Sequence, residues 1–190
     1  ITRKNHQGVV AVLSAVTYHS LDNIVPQLYE DGVLPFIVVL DGITDVRNFG
    51  AIARTCECAG VDAIVIPERG SVSVGGDAVK TSAGALLHIP VCRERSAASA
   101  VRFLKDNGYT VVAASEKADI NYTMADYTVP VAIVMGAEDV GLSPEVMKLC
   151  DTFVSIPQFG HIGSLNVSVA AGVIIYEVVR QRLQSNMEVI

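Results

Sequence analysis

VAIVMGAEDVGLSPEVMKLCDTFVSIPQFGHIGSLNVSVAAG, residues 131–172, decides how the rest of the chain is read. Residues 131–135 are apolar without a break, the pattern of a strand buried on both faces. The run stops at Gly136, and acidic Glu138 and Asp139 follow. Ser143-Pro144-Glu145 then signals a helix start, with serine as N-cap and proline in the first helical position. A second strand is expected over 153–156, ended by Pro157, and a glycine-bearing loop over 158–163. Ser164-Leu165-Asn166 leads into a long apolar helix expected over 167–182. Two strand ends and a helix start thus meet within one short stretch. Ligands of open parallel sheets bind at such strand ends.

Outward from this stretch, short apolar runs alternate with helical patterns. Strands are expected over 8–13, 36–40, 63–66, 88–91 and 109–113. Helices are expected over 20–31, 49–59, 77–86 and 96–107; Gly60 and Gly108 supply C-terminal stops. Pro26 weakens the first of these. Residues 115–127 read as a polar loop. Continuous apolar strands between helices define an α/β fold with a parallel sheet covered on both faces.

The chain has 190 residues, of which 51% are hydrophobic. That suits one domain with a large core. No apolar run approaches the ~20 residues of a membrane span. Residues 1–7 are polar and read as a linker remnant before a domain over 8–190. The start Ile-Thr-Arg-Lys-Asn-His-Gln lacks an initiator Met and reads as part of a longer protein. Cys56, Cys58, Cys92 and Cys150 form no C-x-x-C pair, so reduced thiols in a cytoplasmic protein are expected, with no metal site. A net charge of −6 argues against gripping nucleic acid by bulk charge, though not against RNA as a substrate.

Chemistry-bearing residues fall in two places. In Asp45-Val-Arg-Asn48-Phe-Gly-Ala-Ile-Ala-Arg54-Thr55, Asn48 reads as a helix cap. Arg54 reads either as a paired surface arginine or as a cation for a phosphate or oxyanion. In the opening stretch, Glu138 is a loop acid, and Ser164 and Asn166 stand where they can cap the last helix or bind a ligand there. No histidine has a partner at metal spacing. No G-x-S-x-G, G-x-G-x-x-G or P-loop pattern occurs.

These three segments, Asp45 to Thr55, Val134-Met-Gly-Ala-Glu138-Asp-Val-Gly141-Leu, and Ser155-Ile-Pro157 with Ser164-Leu-Asn166-Val-Ser-Val-Ala, resemble the ordered motifs of the SpoU (TrmH-like) RNA ribose 2′-O-methyltransferases. The likeness runs from His6 to Arg182. It is strongest to the bacterial enzymes that methylate a guanosine of 23S rRNA, through His6-Gln7-Gly8 and the segment at Val61. Val46 stands where the family has proline.

The resemblance implies a SPOUT-type parallel sheet with a C-terminal trefoil knot, S-adenosyl-L-methionine as methyl donor, a homodimer, and an RNA-binding domain ahead of the segment present here. It also implies site residues. Arg54, Asn48, Glu138, Ser164 and Asn166 would be catalytic, with Glu138 fixing the arginine or the loop. Gly136, Ile156, Leu165, Met135 and Ser115 would hold the cofactor. A tRNA ribose methyltransferase and a non-catalytic RNA-binding module on the same fold are the alternatives.

Overall fold

The computed structural model describes residues 16–187; the strand expected over 8–13 lies outside them. The elements run β1 (Tyr18–His19), α1 (Leu21–Glu30), β2 (Phe36–Asp41), α2 (Val46–Cys58), β3 (Ala63–Pro67), α3 (Gly76–Thr81), β4 (Val91–Glu94) and α4 (Ala97–Asp106). They continue with β5 (Thr110–Ala114), β6 (Ile120–Asn121), β7 (Val131–Gly136), α5 (Pro144–Met147), β8 (Thr152–Ser155) and α6 (Val167–Met187). The strands form one sheet in the order β1-β4-β3-β2-β7-β5-β8-β6. Every adjacent pair is parallel.

Alternating side chains divide the core into two layers. Phe36, Val38, Leu40, Ile64, Ile66 and Ile133 face Phe49 and Ile52 of α2 and Ile174 and Ile175 of α6. Ile37, Val39, Val65 and Val134 face Leu21 and Val25 of α1, Val101 and Leu104 of α4, and Val146 of α5. Burying one such side chain contributes about 1.5–3 kcal/mol. That double burial is why β2, β3 and β7 read as unbroken apolar runs.

Several expected boundaries move. The helix expected from Asp77 is shorter, Gly76–Thr81, with a separate 3-10 turn at Ala85–Leu87. Gly84, with φ 90°, separates them. The fourth strand begins at Val91, not His88. The loop over 115–127 contains β6 and a 3-10 turn, and buries Tyr127 completely. Pro26 lies inside α1 on its exposed side, where the helix loses one backbone bond but buries no ring.

Parallel strands put all their C-terminal ends on one edge. At that edge β2 and β7 are neighbours, with Leu40 opposite Met135 and Asp41 opposite Gly136. The loops after these two strands therefore lie side by side. Asp41 Oδ2 accepts the backbone N–H of Ser143 at 2.7 Å and ties them together. At the opposite edge Arg182 of α6 donates to the carbonyls of Leu34, Pro35, Tyr127 and Val129. Its guanidinium also stands over the Phe36 ring, 5.4 Å from the centroid, within the ~6 Å reach of a cation–π contact.

Candidate functional site

Helix α2 begins one turn earlier than its apolar pattern suggests. Asp45, not Asn48, is the N-cap: its Oδ1 accepts the backbone N–H groups of Arg47 and Asn48, each at 2.9 Å. The bond from Asn48 N–H, more than the nearby Arg47, holds the Asp45 carboxyl below its ordinary range. Val46 is the first helical residue, where proline is also favoured, so the substitution leaves the helix start intact. Relieved of capping, the Asn48 side chain is free to face the loop after β7.

That loop turns back at once. Ala137 and Gly141 exchange backbone hydrogen bonds of 3.0 and 2.8 Å, which sets Glu138 and Asp139 in the turn. Gly136 is required beneath it, because a Cβ there would lie 2.4 Å from the Gly141 carbonyl carbon. Gly141 itself has φ 70°, where a side chain would be strained.

Asn166 precedes α6 and caps it, its Oδ1 accepting the Ser168 N–H at 3.0 Å. The Ser168 hydroxyl donates to the same oxygen at 2.6 Å. The Asn166 amide nitrogen therefore faces away from the helix. It donates to Asn48 Oδ1 at 3.0 Å and to Glu138 Oε1 at 3.2 Å. Asn48 Nδ2 donates to Glu138 Oε2 at 3.3 Å. Three side chains far apart in sequence thus form one closed network.

Two clefts meet at this network. One, about 660 Å³ including open solvent, is lined by Ser115, Met135, Gly136, Ile156, Ser164 and Leu165, with Glu138 at its edge. Val154, Ala170 and Ile174 complete an apolar wall, and Glu116 adds a carboxylate. The second is lined by the loop after β2, Asn48, Asp139 and, again, Glu138. Glu138, Ala137 and Val167 belong to both. The first cleft suits a nucleoside with a cationic appendage: aliphatic walls for the base, carboxylates and a serine hydroxyl for polar groups.

Of the residues singled out in the sequence, Asn48, Glu138 and Asn166 are brought into contact. Met135, Gly136, Ile156, Leu165, Ser115 and Ser164 line the first cleft together. Arg54 stands apart. It is exposed on α2, about 9 Å along the helix from Asn48 and roughly 240° around it. Glu138, expected to fix either Arg54 or the loop, bonds the two asparagines and not Arg54 among the described residues. The Ser164 side chain likewise makes no hydrogen bond among the described residues, and Asn166 alone caps α6. Ser168 and Asp45 are the residues that sequence reading passed over. Both follow local rules: serine two residues after asparagine, and aspartate four before the first buried helical position.

Residues 35–176 match the SpoU rRNA Methylase family. A protein named as a TrmH family tRNA/rRNA methyltransferase, from Staphylococcus saprophyticus, is 41% identical over 177 residues, covering 93% of this chain and 71% of its own length. The AdoMet-bound rRNA methyltransferase of Sinorhizobium meliloti superposes with a TM-score of 0.77 at 30% identity, over 86% of this chain and 61% of that one. The TrmH/SpoU tRNA modifying enzyme of A. aeolicus gives 0.72 at 30% identity, over 88% and 86%. The chain belongs to the SpoU methylase family, whose members are RNA methyltransferases that use S-adenosylmethionine. It spans about three fifths of the Sinorhizobium protein.

Proposed function

We propose that this chain methylates a ribose 2′-hydroxyl of RNA, with a guanosine of 23S rRNA as the target. The observation that carries the reading is the network of Asn48, Glu138 and Asn166 at the seam between the two clefts. A methyl donor in the first cleft and a ribose in the second would face each other across Glu138. When bound, S-adenosylmethionine supplies a methyl group already activated by positive sulfur. Met135, Gly136, Ile156 and Leu165 enclose the nucleoside part, and Ser115 and Ser164 offer it polar contacts. The Asn48 amide has one N–H uncommitted and orients the incoming ribose. Arg54, exposed and without a side-chain partner among the described residues, takes an RNA phosphate and stabilises developing charge on the 2′-oxygen.

The same reading includes a homodimer. Val169, Tyr176, Leu183 and Met187 form one exposed stripe along α6, and Phe159 in the neighbouring loop is 97% exposed. A second copy is the occupant this symmetric, elongated stripe suits. A monomer by sedimentation at micromolar concentration would exclude it. The placing of β7 between β2 and β5, with α6 returning to α2, supports a trefoil-threaded C-terminal part. A crystal structure tracing the chain after β8 outside the preceding loops would refute that. No helix among the described residues is long and apolar enough to cross a membrane, which suits a cytoplasmic enzyme.

The test is methyl incorporation from labelled S-adenosylmethionine into 23S rRNA and into tRNA, with the modified position mapped. 2′-O-Methylguanosine in 23S rRNA is expected. Product in tRNA alone selects the second reading, favoured by the near-complete superposition on the A. aeolicus tRNA modifying enzyme. Methyl groups on bases, or none, would sink both.

A further inference from the structure

We propose that the ends of β3 and β4 carry the RNA strand away from the second cleft, Arg69 and Arg95 holding phosphates and Arg93 stacking a base; this rests on the reading above for the place of the ribose. In a chain with a net charge of −6, unpaired arginines mark where a polyanion can be met. Among the described residues, Arg47 pairs with Asp45, Arg180 with Glu177, and Arg182 is spent on carbonyls. Arg54, Arg69, Arg95 and Arg102 have no partner there. Arg69 and Arg95 lie just past adjacent strand ends. Pro67 is opposite Glu94 in the register, and the Glu68 N–H donates to the Glu94 carbonyl at 2.7 Å.

Arg93 belongs to the same strand ends and is held flat. Its guanidinium carbon stands 5.1 Å from the Tyr18 ring centroid, and Nη2 donates to the Glu68 carbonyl at 3.2 Å. Stack and bond together fix the plane, yet the side chain stays exposed. A guanidinium plane presented in this way can take an unstacked base on its outer face. Strand alternation turns Glu94 to the opposite face of the sheet, where Oε1 accepts the Leu21 N–H at 2.9 Å. The Glu68 carboxylate is exposed and pairs with none of the three arginines.

This surface is continuous with the second cleft. The Val72 N–H donates to the Ile43 carbonyl at 3.0 Å, so the loop after β3 leans on the loop after β2, whose Ile43 and Thr44 line that cleft. Buried Val72 and Val74 and a Ser71 hydroxyl bond of 2.6 Å to the Pro67 carbonyl hold the loop in shape without a ligand. In the sheet order β4 stands two strands from β2. Neighbouring strands lie ~4.8 Å apart, which puts the two strand ends about 10 Å from each other. A few nucleotides span that distance. An acidic peptide would satisfy the arginines' charge but would leave the flat face of Arg93 without a matching group.

The test is affinity of the chain for labelled 23S rRNA fragments by fluorescence anisotropy across a salt series, with methylation kinetics alongside. Arg69→Ala/Arg95→Ala should melt as wild type does, because both side chains are exposed and unpaired among the described residues. It should bind RNA about tenfold or more weakly. The slope of log affinity against log salt should shrink by about 1.4, roughly 0.7 for each single-strand phosphate lost. KM for RNA should rise while kcat and calorimetric affinity for S-adenosylhomocysteine hold. Arg93→Lys keeps the charge and loses the plane, so binding should weaken about fivefold or more with the salt slope unchanged. Wild-type RNA affinity or an unchanged slope in the double variant would overturn the phosphate contacts, and wild-type affinity in Arg93→Lys would overturn the stack. A fall in kcat with KM unmoved would place the arginines at the chemistry and overturn the track. If the double variant loses RNA affinity and the wild type methylates no ribose, the track stands and the methyl-transfer reading falls. Ribose methylation by a wild type whose RNA affinity ignores all three arginines would remove the track alone.

Discussion

The two edges of the sheet treat their polar groups in opposite ways. At the edge where the strands begin, every named group is spent on structure. Arg182 takes four carbonyls, Asp62 accepts the Phe36 N–H at 2.7 Å, and Asp151 accepts the Val111 N–H at 2.9 Å. At the edge where the strands end, Asn48 keeps an N–H and Glu138 keeps lone pairs; farther along α2, Arg54 has no side-chain partner among the described residues. The contrast is sharpest between the two arginines. One is half-buried and saturated; the other is exposed and idle. A side chain whose hydrogen bonds are all internal stabilises the fold, while one left with capacity at a cleft is available to a ligand.

Replacing Arg182 by alanine should therefore have the largest effect, and on stability alone. It strands several carbonyls near the start of β2 and β7, a loss of roughly 3–5 kcal/mol. Thermal melting should fall by about 10 °C or more. Affinity for S-adenosylhomocysteine, measured well below the melting point, should hold. A variant that melts normally but binds poorly would erase the distinction between the edges.

Arg54→Ala should do the reverse. Melting should not move, and turnover should fall by about 10²–10³, the scale of losing one charged donor at the transition state. Arg54→Lys should rescue little, because lysine lacks the planar two-point fork that fits a phosphate. Wild-type turnover at saturating RNA in the alanine variant would make Arg54 a surface residue only.

Much of this division was legible in the sequence. Unbroken apolar strands between helices announced a parallel sheet, and a parallel sheet places every loop of interest on one edge. Asn48, Glu138 and Asn166 were singled out before their contacts were visible. What sequence spacing could not supply was the partner: Glu138 reads as a loop acid near an arginine, yet it bonds two asparagines 90 and 28 residues away. The start of α2 was misplaced for a related reason. Asp45 and Asn48 are both good caps, and only the side chain of Asp45 reaches the first free N–H groups. Arg182 was invisible as a structural residue, since nothing local marks an arginine that binds carbonyls over a hundred positions earlier in the chain.

A smaller effect is expected at Gly136. Its substitution by alanine would set a Cβ 2.4–2.7 Å from the backbone of Gly141 and Leu142. Backbone must shift, at about 1–3 kcal/mol. The displaced loop carries Glu138, so cofactor affinity should weaken along with stability. This is the one position where both edges' kinds of loss should appear together; melting and calorimetry on the same sample check it.

The smallest effect tests the saturated edge by pH. Asp62 and Asp151 hold similar places, each accepting a backbone N–H near the start of the adjacent strand, but their titrations shift in opposite directions. Burial raises Asp62 above its ordinary value, against the pull of the Phe36 N–H and Arg182. Burial also acts on Asp151, but the Lys105 ammonium at 2.6 Å and the Val111 N–H outweigh it and lower the value. An unfolded aspartate titrates near about 3.9. Above that pH the Asp151 contribution is fully present, and it disappears as pH falls through the lower folded value. For Asp62 the sign reverses. The native state holds its proton longer, so stability is lost as pH rises from the unfolded value through the folded one. Asparagine can still accept the N–H at either position but carries no charge. Asp151→Asn should thus lower melting at neutral pH and approach wild type in acid, with an effect below about 1 kcal/mol because Lys105 and Asp151 are partly exposed. Asp62→Asn should move the other way, gaining on wild type as pH rises from acid towards neutral. Melting curves of both variants across that range should diverge in opposite senses; parallel curves would mean that the two carboxylates are electrostatically alike.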